Sequence, residues 1–141
     1  MSTYADTSFL LSLYLTDVHT PEAEQRIASS PLMWLTSFHV VEWTHAVEQH
    51  VFRGALSRNE GDLYHRQFQE NRESGSRIEV AVPDSVFDVC IQLARRYAAR
   101  LGLRTLDTLH VASALELKAE RFWTFDERQK KLARAVGLKT T

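Results

Sequence analysis

The stretch that decides the fold runs from Arg104 to Ala114 and reads RTLDTLHVASA. Apolar and small residues continue around almost its whole circumference, which predicts a helix that the rest of the protein buries. Asp107 and His110 interrupt this surface, and their spacing of three places both side chains on one helical face. Moving an ionised carboxylate into apolar surroundings is costly, so Asp107 needs a partner that neutralises its charge.

The composition is that of an ordinary globular domain. The chain has 141 residues, of which 44% are hydrophobic and 25% charged, and we expect one domain over residues 1–141. No apolar run approaches the roughly 18 residues of a membrane span, and the amino terminus lacks the basic segment of a secretory signal. The one cysteine, Cys90, excludes an intrachain disulfide and is expected to be a small core residue. These features predict a cytoplasmic protein with no membrane contact.

The net charge of the chain gives little information about its binding partners. The formal net charge of −1 argues against a general nucleic-acid binder, which would be basic overall. Contacts with phosphate would therefore need metal ions or local basic clusters, and the alternative for each basic residue is a solvated helix face. The candidate basic residues are Arg95, Arg96, Arg100, Arg104, Arg128, Lys130, Lys131 and Arg134.

Short apolar runs alternate with helical patterns along the chain. The predicted strands are 3–6, 32–36, 78–82, 120–125 and a final edge strand at 138–140. The predicted helices are 8–15, 21–30, 37–52, about 56–72, 85–101, the helix of the opening stretch, and 127–136. This alternation predicts an α/β fold with a mostly parallel sheet covered on both faces. Functional groups in such folds gather at the carboxyl edge of the sheet.

Local signals set the ends of these predicted helices. Thr20, Ser37 and Asp84 are placed as N-caps, because their side-chain oxygens can accept from the free N–H groups of the first turn. Gly102 and Gly137 are placed as C-terminal stops, where glycine adopts the left-handed conformation most easily. The apolar spacing within 37–52 falls at Phe38, Val41, Val47 and Val51.

Four acidic residues share a context, and each also has a structural alternative. Asp6 ends the first predicted strand and Asp126 follows the fourth. Both are candidate helix caps, Asp126 with Gln129 as a variant capping box. Glu42 lies within a helix, where most glutamates are solvated, and Asp107 lies on a buried face. Together, four converging carboxylates would repel one another unless hard cations such as Mg²⁺ or Mn²⁺ lay between them. The joint pattern therefore predicts a cation site.

A histidine metal site is the weaker interpretation. His39, Glu42 and His45 lie on one face of their predicted helix, but no further Cys or His cluster completes a tetrahedral set. A carboxylate-bridged di-iron bundle would need Glu-x-x-His motifs on two helices and further glutamates on two others, and the strand signals oppose a bundle. We expect His110 to be a hydrogen-bond partner of a carboxylate or a satisfied core histidine.

Four segments, in order, resemble the PIN-domain family of metal-dependent ribonucleases. They are YADTSFLLSLYL at 4–15, TSFHVVEWTHAV at 36–47, LDTLHVASAL at 106–115 and FWTFDERQKKLARAVGL at 122–138. The resemblance spans nearly the whole chain, from about Thr3 to Gly137. His39, Trp43 and His45, which surround Glu42, are not hallmarks of that family.

The resemblance implies a fold, a site and a reaction. The fold is a three-layer α/β/α arrangement with a central parallel sheet of four or five strands flanked by helices. The implied catalytic and metal-binding residues are Asp6, Glu42, Asp107 and Asp126, which would hold one or two Mg²⁺ or Mn²⁺ ions. Ser8, Thr124 and His110 would support these acids through hydrogen bonds. The implied reaction is endonucleolytic hydrolysis of RNA.

The resemblance also implies partners. A compact chain of this kind is most similar to VapC-type toxins of type II toxin–antitoxin pairs, which suggests an RNA substrate, a small cognate antitoxin protein and a homodimer. Two alternatives stay open: a PIN nuclease that acts in RNA processing or on DNA structures, and a catalytically silent PIN-like binding scaffold. An antitoxin reading frame beside the gene would favour the toxin, and the lack of any metal-dependent rise in melting temperature would favour the scaffold.

Overall fold

Five strands form one parallel sheet in this computed structural model, which describes residues 2–29 and 32–140. The strand order is β3-β2-β1-β4-β5, and every neighbouring pair is parallel. The strands are β1 (Thr3–Ala5), β2 (Met33–Leu35), β3 (Arg77–Glu79), β4 (Arg121–Trp123) and β5 (Lys139–Thr140). The predicted parallel sheet is confirmed with five strands, and all of their carboxyl ends lie at the same edge.

Helices connect and cover these strands, as parallel pairing requires. They are α1 (Thr7–Ser12), α2 (Thr20–Ser29), α3 (Ser37–Phe52), α4 (Arg58–Glu73), α5 (Ser85–Leu93), α6 (Ala99–Leu101), α7 (Thr105–Glu116) and α8 (Glu127–Ala135). A π-helical stretch, Ala94–Ala98, joins α5 to α6. No helix in the described part of the chain is long and apolar enough to cross a membrane.

The sheet separates two apolar clusters, which gives the three-layer arrangement expected from the sequence. Tyr4 belongs to a cluster with residues of α5, α7 and α8, whereas its neighbour Ala5 belongs to a cluster with residues of α1, α3 and α4. Successive strand residues point to opposite faces, so the two clusters lie on opposite sides of the sheet. Phe122 and Trp123 of β4 divide between the same two clusters.

The bounds of α3 are as predicted, but its cap and its buried face are not. The N-cap is Thr36 rather than Ser37, and its hydroxyl accepts from the backbone N–H of His39. The buried residues of α3 are His39, Trp43 and Val47, while the predicted apolar position Val41 is exposed. The fully buried Trp43 stacks on Phe68, with ring centroids 4.1 Å apart. The buried side of α3 is therefore chosen by packing against α4.

Other predicted boundaries shift by a few residues. Strand β3 begins at Arg77 and ends at Glu79, short of the predicted 78–82, and Asp84 makes no side-chain capping bond. Thr20 lies inside α2, where its hydroxyl accepts from the backbone N–H of Asp17, so it is not the predicted cap. Gly102 confirms its predicted role, since it ends α6 in the left-handed conformation. The predicted boundary at Ser30 and Pro31 lies outside the described residues.

Candidate active site

The four acidic side chains singled out by the sequence line one cleft of about 870 Å³. Asp6 follows β1 directly and Asp126 follows β4, so adjacent strands deliver both to the carboxyl edge of the sheet. Glu42 comes from α3 and Asp107 from the first turn of α7. Other lining residues include Thr7, Ser8, Phe38, Val41, His45, Arg104, Leu106, His110 and Gln129. Distant parts of the chain therefore present four carboxylates to one space.

Asp6 is held entirely by uncharged donors. Its carboxylate is 1% exposed and accepts from the backbone N–H of Phe9 at 2.9 Å, so it caps α1 while lining the cleft. The hydroxyl of Ser8 lies 2.7 and 2.8 Å from its two oxygens, and the hydroxyl of Thr124 donates at 2.8 Å. Burial raises the pKa of Asp6, and the charge of His110 together with these hydrogen bonds offsets the rise only in part. A positive charge beside Asp6 would therefore stabilise its ionised carboxylate.

Arg104 neutralises the charge of Asp107, and Gln129 adds a hydrogen bond. Asp107 is 3% exposed, and its Oδ2 accepts from the backbone N–H of Arg104 at 2.9 Å and from Nε of the same residue at 3.3 Å. Its Oδ1 accepts from Nε2 of Gln129 at 3.2 Å. The guanidinium of Arg104 also lies 3.8 Å, Nη2 to Oδ2, from Asp126. One arginine therefore bridges two of the four acids.

Asp126 caps α8 as predicted, but the expected capping box is incomplete. Its Oδ1 accepts from the backbone N–H of Gln129 at 2.9 Å. The Gln129 side chain does not return to the cap, because it donates to Asp107 instead. Oε1 of the buried Gln129 has no hydrogen-bond partner among the residues that the structure describes.

Glu42 is oriented by His110 and Thr7. Nε2 of His110 contacts Oε1 of Glu42, and the hydroxyl of Thr7 donates to the same oxygen at 2.6 Å. Burial alone would raise the pKa of Glu42, but the hydrogen bond and charge of His110, with the Thr7 hydroxyl, outweigh burial and lower it. The buried hydroxyl of Tyr4 lies 2.8 Å from Nδ1 of His110 and so sets the orientation of the imidazole ring. Glu42 is therefore held ionised within the cleft.

The donor chemistry of the cleft fits a hard divalent cation, although the side chains are not arranged around one. Carboxylate and hydroxyl oxygens are the donors that Mg²⁺ and Mn²⁺ prefer. Within residues 2–29 and 32–140, however, no three His, Cys, Asp or Glu side chains form a group that could hold a metal ion. Arg104 instead contacts carboxylate oxygens of Asp107 and Asp126. His110 contacts a carboxylate oxygen of Glu42.

Comparison with known protein families identifies the family of this chain. The chain matches the family described as the PIN domain over residues 3–135. It belongs to the PIN domain family. A comparison with curated protein sequences finds no match.

Solved structures share the fold of this PIN domain at low sequence identity. VapC20 of Mycobacterium tuberculosis, described as a sarcin-ricin loop cleaving toxin, has a TM-score of 0.70 and 16% identity, with 97% of this chain and 96% of that chain covered. FitAcB of Neisseria gonorrhoeae has a TM-score of 0.71 and 15% identity over 98% and 95% of the two chains. VapBC2 of Rickettsia felis, bound to a DNA fragment from its promoter, has a TM-score of 0.69 and 12% identity over 100% and 98%.

His39 and His45, which flank Glu42 on α3 of this PIN domain, have different surroundings. His39 is buried and hydrogen-bonds to two backbone groups. Its Nε2–H donates to the carbonyl of Ala5 at 2.9 Å, and its Nδ1 accepts from the backbone N–H of Thr36 at 3.0 Å. His45 is exposed at the rim of the cleft. The prediction that carboxylates rather than histidines form the cation site stays a prediction.

Three supporting residues of the PIN domain were missed by sequence reasoning. Thr7 contacts Glu42, Tyr4 contacts His110, and the Gln129 side chain contacts Asp107. Thr7 carried a usable signal, since it lies next to Asp6 at the end of β1 and its hydroxyl faces the same edge of the sheet. The sequence offered no comparable signal for Tyr4, whose partner lies 106 positions away.

Proposed function

We propose that this PIN domain is a metal-dependent endoribonuclease that hydrolyses RNA phosphodiester bonds. One observation carries the proposal: Asp6, Glu42, Asp107 and Asp126 come from four separate segments and line the same cleft. Carboxylates gathered in this way lower their mutual repulsion by binding a cation. We assign Mg²⁺ or Mn²⁺, one or two ions, to this role because the donors are oxygens.

Each acid has a distinct environment in the proposed mechanism. Ser8 and Thr124 fix the carboxylate of Asp6, whereas Thr7 and His110 fix that of Glu42, so these acids are already oriented before substrate arrives. The four acids would hold a divalent ion, which would supply Lewis-acid activation of water and would screen the phosphodiester charge. Preorganised ligands of this kind reduce the reorganisation that the reaction would otherwise require.

We further propose that the protein is the toxin of a type II toxin–antitoxin pair. Its fold covers nearly the whole length of VapC20 and of the VapBC2 chain, which supports this assignment by likeness of fold. Val41 and Leu106 are exposed apolar side chains that line the acidic cleft, and exposed apolar surface of this kind favours a protein partner such as a small antitoxin.

A homodimer is the assembly that we propose. Phe87 and Ile91 are exposed and lie four residues apart on α5, so both project from one helical face. Burial of this apolar pair against a second copy would remove it from water.

The activity is tested by incubating purified protein with structured RNA in Mn²⁺ or Mg²⁺ and mapping the new RNA ends. Asp6→Asn and Asp107→Asn keep the side-chain shape while removing a charge, and we expect each to reduce cleavage at least about 100-fold. Asp88→Asn is the matched control, because Asp88 is exposed on α5 and does not line the cleft. Cleavage that persists in excess chelator, or in both cleft variants, would overturn the proposal.

The toxin assignment is tested separately by inducible expression in cells. Wild-type protein should arrest growth, Asp107→Asn should not, and co-expression of the product of an adjoining short reading frame should restore growth. Cleavage in vitro without growth arrest would instead support a PIN nuclease of RNA processing. A protein that neither cuts RNA nor gains thermal stability from Mn²⁺ would be a scaffold, and the enzymatic proposal would be wrong.

A further inference from the structure

Arg104 occupies the space between two acids that the proposed function assigns to a metal ion. Its guanidinium lies 3.3 Å from Asp107 through Nε and 3.8 Å from Asp126 through Nη2. We propose that Arg104 competes with the divalent cation for these two carboxylates, so that metal binding displaces the guanidinium from them. This inference rests on the proposed metal site and adds a competitor built into the chain.

The contacts of Arg104 suit an exchangeable counter-charge better than a permanent clamp. Its side chain is 69% exposed, so water can solvate the guanidinium after it leaves, whereas the Asp107 side chain is 4% exposed. The contact with Asp126, at 3.8 Å, is longer than a hydrogen bond. Departure of the guanidinium would leave the buried Asp107 carboxylate without a counter-charge, so it becomes favourable when a cation takes the same place.

Asp107 keeps its position when the guanidinium leaves. The backbone N–H of Arg104 donates to Oδ2 of Asp107 at 2.9 Å, and Gln129 donates to Oδ1 at 3.2 Å. Both contacts are independent of the Arg104 side chain. Backbone and amide donors thus hold the carboxylate in place, while the arginine side chain supplies charge that an ion can replace.

The other two acids of the cleft have no comparable competitor in their observed contacts. Asp6 accepts from hydroxyl and backbone donors, none of which carries charge. Glu42 is paired with His110, which is buried and further held by Tyr4. Competition by an arginine therefore acts on the Asp107 and Asp126 side of the cleft.

Titration with Mn²⁺ alone, without RNA, tests the competition directly. Isothermal titration calorimetry and the Mn²⁺-dependent rise in melting temperature are compared for wild type, Arg104→Gln and Arg104→Lys. Competing equilibria are linked, so removal of the competitor should tighten Mn²⁺ binding by about fivefold or more in Arg104→Gln. Arg104→Lys should lie between, because an ammonium keeps the charge but lacks the fork that spans two carboxylates.

A charge-matched control separates local competition from the change in net charge. Arg66 is exposed on α4 and does not line the cleft, so Arg66→Gln removes the same charge elsewhere. We expect its Mn²⁺ affinity to stay within about twofold of wild type, since salt screens the charge of an exposed side chain that does not line the cleft.

The outcomes distinguish this inference from the proposed function. If wild type binds Mn²⁺ and Arg104→Gln binds it equally or more weakly, Arg104 is a structural support of Asp107 and the competition is overturned. If neither protein binds Mn²⁺, the proposed metal site fails, and the competition fails with it. Should Arg104→Gln fold poorly, Arg104→Lys decides, and affinity no tighter than wild type would overturn the inference.

Discussion

Thr124 bonds both to Asp6, 118 positions earlier in the chain, and to the backbone of Asp126 at the start of α8. Its hydroxyl donates to Oδ2 of Asp6 at 2.8 Å and accepts from the backbone N–H of Asp126 at 2.9 Å. One fully buried hydroxyl thus links the two acids that follow the adjacent strands β1 and β4. The spacing between these acids therefore depends on Thr124 as well as on the sheet.

Thr124→Val should weaken both the fold and the site, because valine keeps the shape and removes the hydroxyl. Loss of a buried hydrogen-bond partner costs about 1–3 kcal/mol, which we expect as a lower free energy of unfolding in urea. RNA cleavage should fall as well, since Asp6 loses a donor. Thr44→Val is the control: Thr44 is exposed on α3 and bonds only within its helix, so its effect should be under about 0.5 kcal/mol. Equal effects of the two changes would contradict the role of Thr124.

Asp6→Asn should stabilise the metal-free protein while abolishing cleavage. Burial raises the pKa of Asp6, so the ionised carboxylate disfavours folding, and the protein loses stability as pH rises from about 4 through the folded-state pKa. The variant removes this loss. In chelator at pH 7, we expect its melting temperature to exceed that of wild type by at least about 2 °C.

The stabilising effect of Asp6→Asn should shrink as pH falls to about 3, below the ordinary aspartate pKa of about 3.9, because wild-type Asp6 is then mostly protonated in both states. Added Mn²⁺ should also favour wild type over the variant. A melting temperature that is lower in Asp6→Asn at pH 7 would show that the charge of Asp6 is already compensated without metal.

His39 should make the protein sensitive to acid. Burial lowers the pKa of His39 well below its usual range, and the charge of His110 lowers it further. The hydrogen bond to the carbonyl of Ala5 opposes this shift only in part. The unfolded chain binds a proton on His39 below about pH 6.5 whereas the folded chain does not. The stabilisation that comes from the unprotonated ring is therefore fully present above about pH 6.5. As pH falls below this value, the free energy of unfolding decreases by up to about 1.4 kcal/mol per pH unit.

Urea unfolding between pH 5 and 7.5 measures this slope. We expect His39→Gln to be less stable than wild type at pH 7.5, because the bonds to Ala5 and Thr36 are altered, but its stability should change less between these pH values. Parallel pH profiles for wild type and variant would show that other groups cause the acid sensitivity.

Gln129→Leu should reduce cleavage more than it reduces stability. Gln129 donates to Oδ1 of Asp107, and removal of a hydrogen bond that orients a metal ligand lowers metal affinity or activity about 10–100-fold. The unpartnered Oε1 of Gln129 is lost in the same change, which limits the cost to folding. Mn²⁺ affinity by calorimetry and RNA cleavage rates are the measurements.

Gln92→Leu is the matched control for that change, because Gln92 is exposed on α5 and lies outside the cleft lining. Its cleavage rate and Mn²⁺ affinity should equal those of wild type. A Gln129→Leu protein that cuts RNA at the wild-type rate would show that Arg104 alone suffices to orient Asp107.

Several features of this protein were predictable because they depend on neighbouring residues in the chain. The alternation of short apolar runs with helical patterns indicated a parallel sheet, and the periodicity of 37–52 gave the bounds of α3. Asp6 and Asp126 follow strands directly, so their arrival at one edge of the sheet needed only the fold class. Gly102 ends its helix because a left-handed residue is required there, and that requirement is local.

Tertiary structure alone decided which partners the acids take and which side of α3 is buried. Arg104 reaches Asp126, Gln129 turns from its own helix cap to Asp107, and Tyr4 meets His110. Gln129 and Asp107 are 22 positions apart in the chain, and Tyr4 and His110 are 106 apart. Only the packing of the layers brings such residues into contact. The sequence determines which side chains carry charge and where strands end; packing determines which of those charges come within hydrogen-bond reach of one another.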